Sequence, residues 1–105
     1  MNIFEGLLPR ALDEQIDLLA ASAGVRIERI VSRGHISPPA FWYDQADDEW
    51  VLVIQGSSTI AFEDGETITL REGDYCFIPS HRRHRVEETA DPTIWITIFI
   101  AKEQV

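Results

Sequence analysis

From Val25 to Ile100 apolar and polar residues alternate in short runs, and turn residues interrupt the runs at intervals of roughly 8–12 residues. Strict alternation puts neighbouring side chains on opposite faces of an extended chain, so these runs read as strands. The expected strands are Val25–Ser32, Phe41–Gln45, Glu49–Gln55, Thr59–Glu63, Glu66–Leu70, Tyr75–Ile78, Arg85–Glu88 and Ile94–Ile100. Between them lie Ser37-Pro38-Pro39, Ala46-Asp47-Asp48, Gly56-Ser57-Ser58, Asp64-Gly65, Glu72-Gly73-Asp74, Pro79 and Ala90-Asp91-Pro92. Asp64-Gly65 is a strong hairpin signal, because a tight hairpin turn needs positive φ and glycine supplies it freely. A series of short strands with turns of this kind implies an antiparallel sandwich or barrel.

Before Gly24 the pattern is different. Leu8, Ala11, Leu12, Ile16 and Leu19 recur at spacings of three and four, which predicts one helix over 8–23 with Pro9 in its first turn and Gly24 at its end. Asp13, Glu14 and Asp17 would lie on its solvated face. With 105 residues the chain has room for one domain, 1–105.

Two strands are apolar on both faces. Val51 and Val53 alternate with Trp50, Leu52 and Ile54, and the run Ile94–Ile100 behaves in the same way. A barrel wall with a wet exterior would alternate apolar with polar residues, so something must cover the outer side. The helix would cover part of it and a second copy of the chain the rest. The expectation is a homodimer, with Trp50 and Trp95 in its interface.

Composition narrows the function. There are 18 Asp and Glu against 9 Lys and Arg, a formal charge of −9. This balance disfavours nucleic-acid backbones and anionic membrane surfaces. The lone Cys76 excludes an intrachain disulfide and suits a reducing compartment. The amino-terminal residues lack the pattern of a signal peptide, and no apolar run approaches the roughly 20 residues that cross a bilayer, so a cytoplasmic location is expected.

Glu49 opens the most apolar strand and shares a face with Val51 and Val53. A carboxylate there is costly unless it is paired or bound to a cation. His81 and His84 are three apart, so only a turn between them would bring both to one face. Imidazole with carboxylate is a common ligand pair for divalent metals. Arg82, Arg83 and Arg85 concentrate positive charge beside them, as a solvated rim or as an anion-attracting mouth.

These residues carry a resemblance. Glu49-Trp50-Val51-Leu52-Val53-Ile54-Gln55-Gly56 resembles the second half of the first cupin motif, a Glu followed by six residues and a Gly. Gly73-Asp74-Tyr75-Cys76-Phe77-Ile78-Pro79-Ser80-His81-Arg82-Arg83-His84 resembles the second motif, with His81 where a second Gly is usual. The 16 residues between them, Ser57 to Glu72, match the spacing of the shortest cupins. The resemblance implies an all-β double-stranded β-helix, a jelly-roll barrel over 25–101, with the short N-terminal α-helix packed outside it.

It also implies a divalent metal held by Glu49 and His84. Where cupins carry His-x-His before the Glu, this chain has Phe41-Trp42-Tyr43-Asp44-Gln45. A three-residue gap places Tyr43 and Gln45 at those positions, and a four-residue gap places Trp42 and Asp44 there. Neither frame supplies a histidine. Three readings stay open: a metal centre built from His84, Glu49 and Gln45 or Asp44, with or without His81; a metal-free pocket in which the same polar residues bind a small molecule; and a metal site that opens only in the dimer or with a bound substrate. Tyr43, Trp42 and His81 are the substrate-binding candidates. A metal-dependent enzyme and a non-catalytic binding or sensing module both remain possible functions.

Overall fold

The computed structural model describes residues 1–9 and 13–102. Eight strands form two antiparallel sheets. They are β1 (Gln15–Ser22), β2 (Val25–Ser32), β3 (Asp48–Gln55), β4 (Ser57–Phe62), β5 (Thr67–Arg71), β6 (Tyr75–Ile78), β7 (His84–Thr89) and β8 (Thr93–Ile100). The larger sheet has the order β1-β2-β8-β3-β6, and the smaller has β5-β4-β7. Sequence neighbours are thus often separated in space, and the two ends of the chain's strand region meet where β2 pairs with β8 along its whole length.

The core lies between the sheets. Val51 and Val53 of β3, Ile78 of β6 and Trp95 of β8 meet Ile60, Phe62 and Leu70 of the smaller sheet. Burial alternates along β3 and along β4, as a strand with one core-facing side requires. Gly56 joins β3 to β4 at φ +88°, and a Cβ there would lie 2.5 Å from the Pro92 carbonyl oxygen. Only glycine satisfies both the left-handed backbone and the close approach.

Among the described residues of 8–23 there is no helix; Gln15–Ser22 is a strand. It forms a hairpin with β2 through Ala23-Gly24, where Gly24 has φ +74°. Asp17 lies directly opposite Arg29 and pairs with it at 2.8 Å. The register shifts between Leu18 and Ala20. A bulge inserts one residue and breaks the period of two, so apolar residues on an extended chain acquire the three-residue spacing of Ile16 and Leu19. Of the expected helical stripe, Ala11 and Leu12 lie outside the described residues. The outer side of the larger sheet is nevertheless covered at Arg29, by residues 3–5 in an irregular segment whose Ile3 and Glu5 carbonyls accept from its guanidinium.

Two smaller differences concern the site. Phe41–Gln45 is not a strand; it makes a single bridge, Tyr43 to His84. Trp95 is 4% exposed in the core and donates from Nε1 to Ser32 Oγ at 3.1 Å, so it does not lie on the outer face. Trp50 does, in one cross-strand row with Phe77 and Ile98, beside a second row of Leu52, Tyr75 and Ile96. Tyr75 and Phe77 are exposed. Among the described residues no helix is long and apolar enough to cross a membrane.

Candidate functional site

Between the sheets lies a cavity of about 240 Å³, with Ile16 of β1 and Arg26, Glu28 and Ile30 of β2 in its wall. The inner face of the larger sheet contributes Glu49, Val51, Trp95, Thr97 and Phe99, and the smaller sheet contributes Ile60, Val86 and His84. Tyr43 and Gln45 enter from the segment before β3.

His84 begins β7. Its backbone N–H donates to the Tyr43 carbonyl at 3.1 Å, and its own carbonyl accepts from the Tyr43 N–H at 2.7 Å. That single bridge stacks the two rings, with centroids 5.6 Å apart and planes at 28°. His84 Nδ1 lies 2.8 Å from the Arg82 carbonyl oxygen. A carbonyl only accepts, so Nδ1 carries a proton and Nε2 is the nitrogen that faces Glu49. Nε2 stands 3.5 Å from Glu49 Oε1, and both side chains are buried. This is an ion-pair distance without a formed hydrogen bond, and among the described residues Glu49 Oε1 has no hydrogen-bond partner. Burial opposes the charged imidazolium, but the Glu49 carboxylate and the Arg82 carbonyl outweigh it, and the His84 pKa is raised above its ordinary value.

Gln45 Oε1 and Thr97 Oγ1 are likewise buried without a hydrogen-bond partner. Both line the same cavity as Glu49. Unpaired buried polar atoms are rare in folded proteins, and three around one cavity mark a place where something else should bind. Burial first, and then the carboxylates of Glu14 and Glu49, push the Tyr43 phenol above its ordinary pKa, with a Ser37 hydrogen bond partly opposing them. Tyr43 is therefore a neutral phenol. Cys76, paired with Val51 across β6 and β3, has its thiol pushed to about 11 by burial and then by Glu49, and is a poor nucleophile.

The remaining sequence candidates lie elsewhere. Asp44 points outward and meets His81 Nδ1 at 2.7 Å on the surface. Trp42 and His81 do not line the cavity. His81 has φ +63°, the left-handed conformation that a glycine usually occupies. Its backbone N–H donates to the Gln45 carbonyl at 2.7 Å and so steadies the segment that brings Gln45 inward. The arginines are committed to carboxylates: Arg82 to Asp64 and Glu66, Arg83 to Glu63 and Arg85 to Glu87. They form a neutralised rim.

Four cavity residues escaped the sequence reading. Glu14 had been placed on a helix face, yet it reaches the cavity and accepts from Ser32 Oγ. Arg26, Glu28 and Thr97 lie on inward positions of β2 and β8. The available signal was the alternation Arg26, Glu28, Ile30, which puts two charged residues on the face of a core-lining Ile.

The Cupin domain profile matches residues 29–99. The chain belongs to the cupin family. A protein of Ralstonia eutropha JMP134, provisionally named a mannose-6-phosphate isomerase, is 40% identical over 97% of both chains, with a TM-score of 0.92. A cupin superfamily protein of Desulfitobacterium hafniense DCB-2 is 21% identical over 91% of this chain and 84% of its own, with a TM-score of 0.77. KdgF from Halomonas sp. is 19% identical over 90% and 87%, with a TM-score of 0.74. Among curated proteins no match is found.

In this cupin the three-residue frame is the one that faces inward: Tyr43 and Gln45 stand at the wall, Asp44 outside it. The positions that resemble the family's two histidines therefore hold a neutral phenol and an amide. Among the described residues no three His, Cys, Asp or Glu side chains are grouped to hold a metal. At the positions that resemble the family's motif, one imidazole (His84), one carboxylate (Glu49) and the neutral oxygens of Tyr43 and Gln45 do not fit a transition-metal centre, which draws its affinity from imidazole and thiolate donors.

Proposed function

We propose that this cupin binds a small molecule in the cavity between its sheets and does so without a resident transition metal. The observation that carries the reading is the group of unpartnered oxygens, Gln45 Oε1, Glu49 Oε1 and Thr97 Oγ1, in the wall of one largely apolar cavity. A ligand with hydrogen-bond donors at one end and an apolar body at the other satisfies such a site. His84 and Glu49 face each other at the polar end, 3.5 Å apart, and Tyr43 covers the imidazole.

The Ralstonia relative's name would bring a sugar phosphate here. The wall charges favour a different ligand. Among the described residues Arg26 is the one guanidinium lining the cavity, and it is engaged by Glu28 at 3.1 Å and by the Phe99 ring at 4.2 Å. A phosphate site needs cations or amide N–H groups free to donate.

Metal analysis of protein purified without a histidine tag tests the reading. Bound Mn, Fe, Co, Ni, Cu and Zn should together stay well below one per chain, with no difference between wild type, Glu49→Gln and His84→Gln. Stoichiometric metal that both substitutions remove would overturn it.

The same reading places a second copy of the chain over the outer rows of Trp50, Phe77 and Ile98 and of Leu52, Tyr75 and Ile96. Large contiguous apolar surface on a sheet is characteristic of an interface. Light scattering should give twice the chain mass for wild type and a lower mass for Trp50→Asp. A wild-type monomer would contradict this part.

A further inference from the structure

The three oxygens without partners share one capacity, although the Thr97 hydroxyl can also donate. Each can accept a hydrogen bond, and Glu49, 8% exposed, can do nothing else when ionised. A carboxylate or phosphate ligand brings no donor to them. A hydroxyl brings one. A primary ammonium brings three, together with the charge that a buried carboxylate lacks.

The charges around the cavity point in the same direction. Glu14, Glu28 and Glu49 line it, against Arg26 and His84. Arg26 is paired with Glu28 and lies 4.0 Å from Asp47 as well, and His84 faces Glu49. Among the described residues Arg26 is thus occupied, whereas Glu49 Oε1 has only the long His84 contact and accepts no hydrogen bond.

We infer that the cavity takes a small organic cation, a primary ammonium on a short apolar body, with the ammonium against Glu49 Oε1, Gln45 Oε1 and Thr97 Oγ1. The apolar body lies among Val51, Ile60 and Trp95. This rests on the reading of the cavity as a ligand site and adds the sign of the ligand's charge.

Calorimetric titration of the full chain in EDTA, with four probes that share one hexyl chain, tests it. The probes are hexylamine (ammonium at pH 7), 1-hexanol, hexanoate and hexyl phosphate. Hexylammonium should bind tightest, by about tenfold or more over the two anions, as a charge-assisted hydrogen bond to a buried carboxylate implies. Glu49→Gln, close in shape, should weaken hexylammonium about tenfold and leave 1-hexanol within about threefold. Thr97→Val, which removes no charge, should weaken hexylammonium less than Glu49→Gln does. Hexanoate or hexyl phosphate binding as tightly as hexylammonium would overturn the inference and leave the cavity a ligand site. So would 1-hexanol binding as tightly, or a Glu49→Gln protein that is folded and unchanged in affinity for the amine. Failure of all four probes would overturn the inference and the reading beneath it together. Stoichiometric binding of Mn²⁺ or Zn²⁺ without EDTA, lost in Glu49→Gln, would show the cation to be inorganic and overturn the organic one.

Discussion

His81 and His84 are three residues apart, each meets a carboxylate, and the two pairs differ in both distance and surroundings. His81 Nδ1 lies 2.7 Å from Asp44 Oδ1, with side chains 67% and 49% exposed. His84 Nε2 lies 3.5 Å from Glu49 Oε1, with side chains 7% and 11% exposed. Judged by distance, the first pair is the stronger. Water screens it, however, and exposed pairs contribute about 1 kcal/mol or less. The second pair has little water to replace either partner, so the loss of one leaves the other stranded. Surroundings, rather than separation, decide which histidine matters to the fold and to the cavity.

The sharpest way to break this comparison is to remove one member of each pair. His84→Ala leaves the Glu49 carboxylate buried without compensation and should destabilise the protein by about 3 kcal/mol in urea unfolding. Asp44→Ala should cost less than about 1 kcal/mol. Equal costs would mean that the cavity is wet enough to solvate Glu49.

A second effect is on pH dependence. The folded His84 pKa is raised, so the stability its imidazolium contributes is fully present below the unfolded value of about 6.5 and is lost as pH rises through the folded value. Unfolding free energies measured from pH 5.5 to 8.5 should fall across that window in wild type and fall less in His84→Gln. An NMR titration of the His84 ring should give a midpoint above that of an unfolded peptide. A midpoint below it would mean that burial outweighs Glu49.

The smallest expected effect is that of His81→Gly. Glycine relieves a left-handed backbone at φ +63°, worth about 1 kcal/mol, and loses the exposed Asp44 contact, worth about the same or less. The two should nearly cancel, to within about 1 kcal/mol by urea unfolding. A loss well beyond that would show that the His81 side chain holds the 41–45 segment in place.

Much of the barrel was legible because its signals are local. Gly56, Asp64-Gly65 and Gly73 mark turns, and the alternation from Glu49 onward identifies β3 with its inward side chains. The same alternation placed Glu49 on the Val51 side, where it lines the cavity. The first strand was not legible. Its bulge at Leu18–Ala20 disguises the period, and residues such as Leu, Ala, Glu and Gln suit a helix when no partner strand is known. β2 supplies that partner, and pairing overrides local preference. Trp95 was misplaced for a related reason: a strand apolar on both faces does not say which face is inside.

By itself the sequence determined where the chain from Val25 onward turns, which side chains share a face within each strand, and the family to which these motifs belong. The tertiary structure decided which face is the inner one, that 15–22 pairs as a strand, that Tyr43 and Gln45 rather than Asp44 enter the cavity, and that three oxygens there lack partners. The physical reason is range. Backbone conformation and alternation are set by residues a few positions apart, whereas burial and hydrogen-bond satisfaction depend on strands such as β2, β3 and β8 that meet across much of the chain.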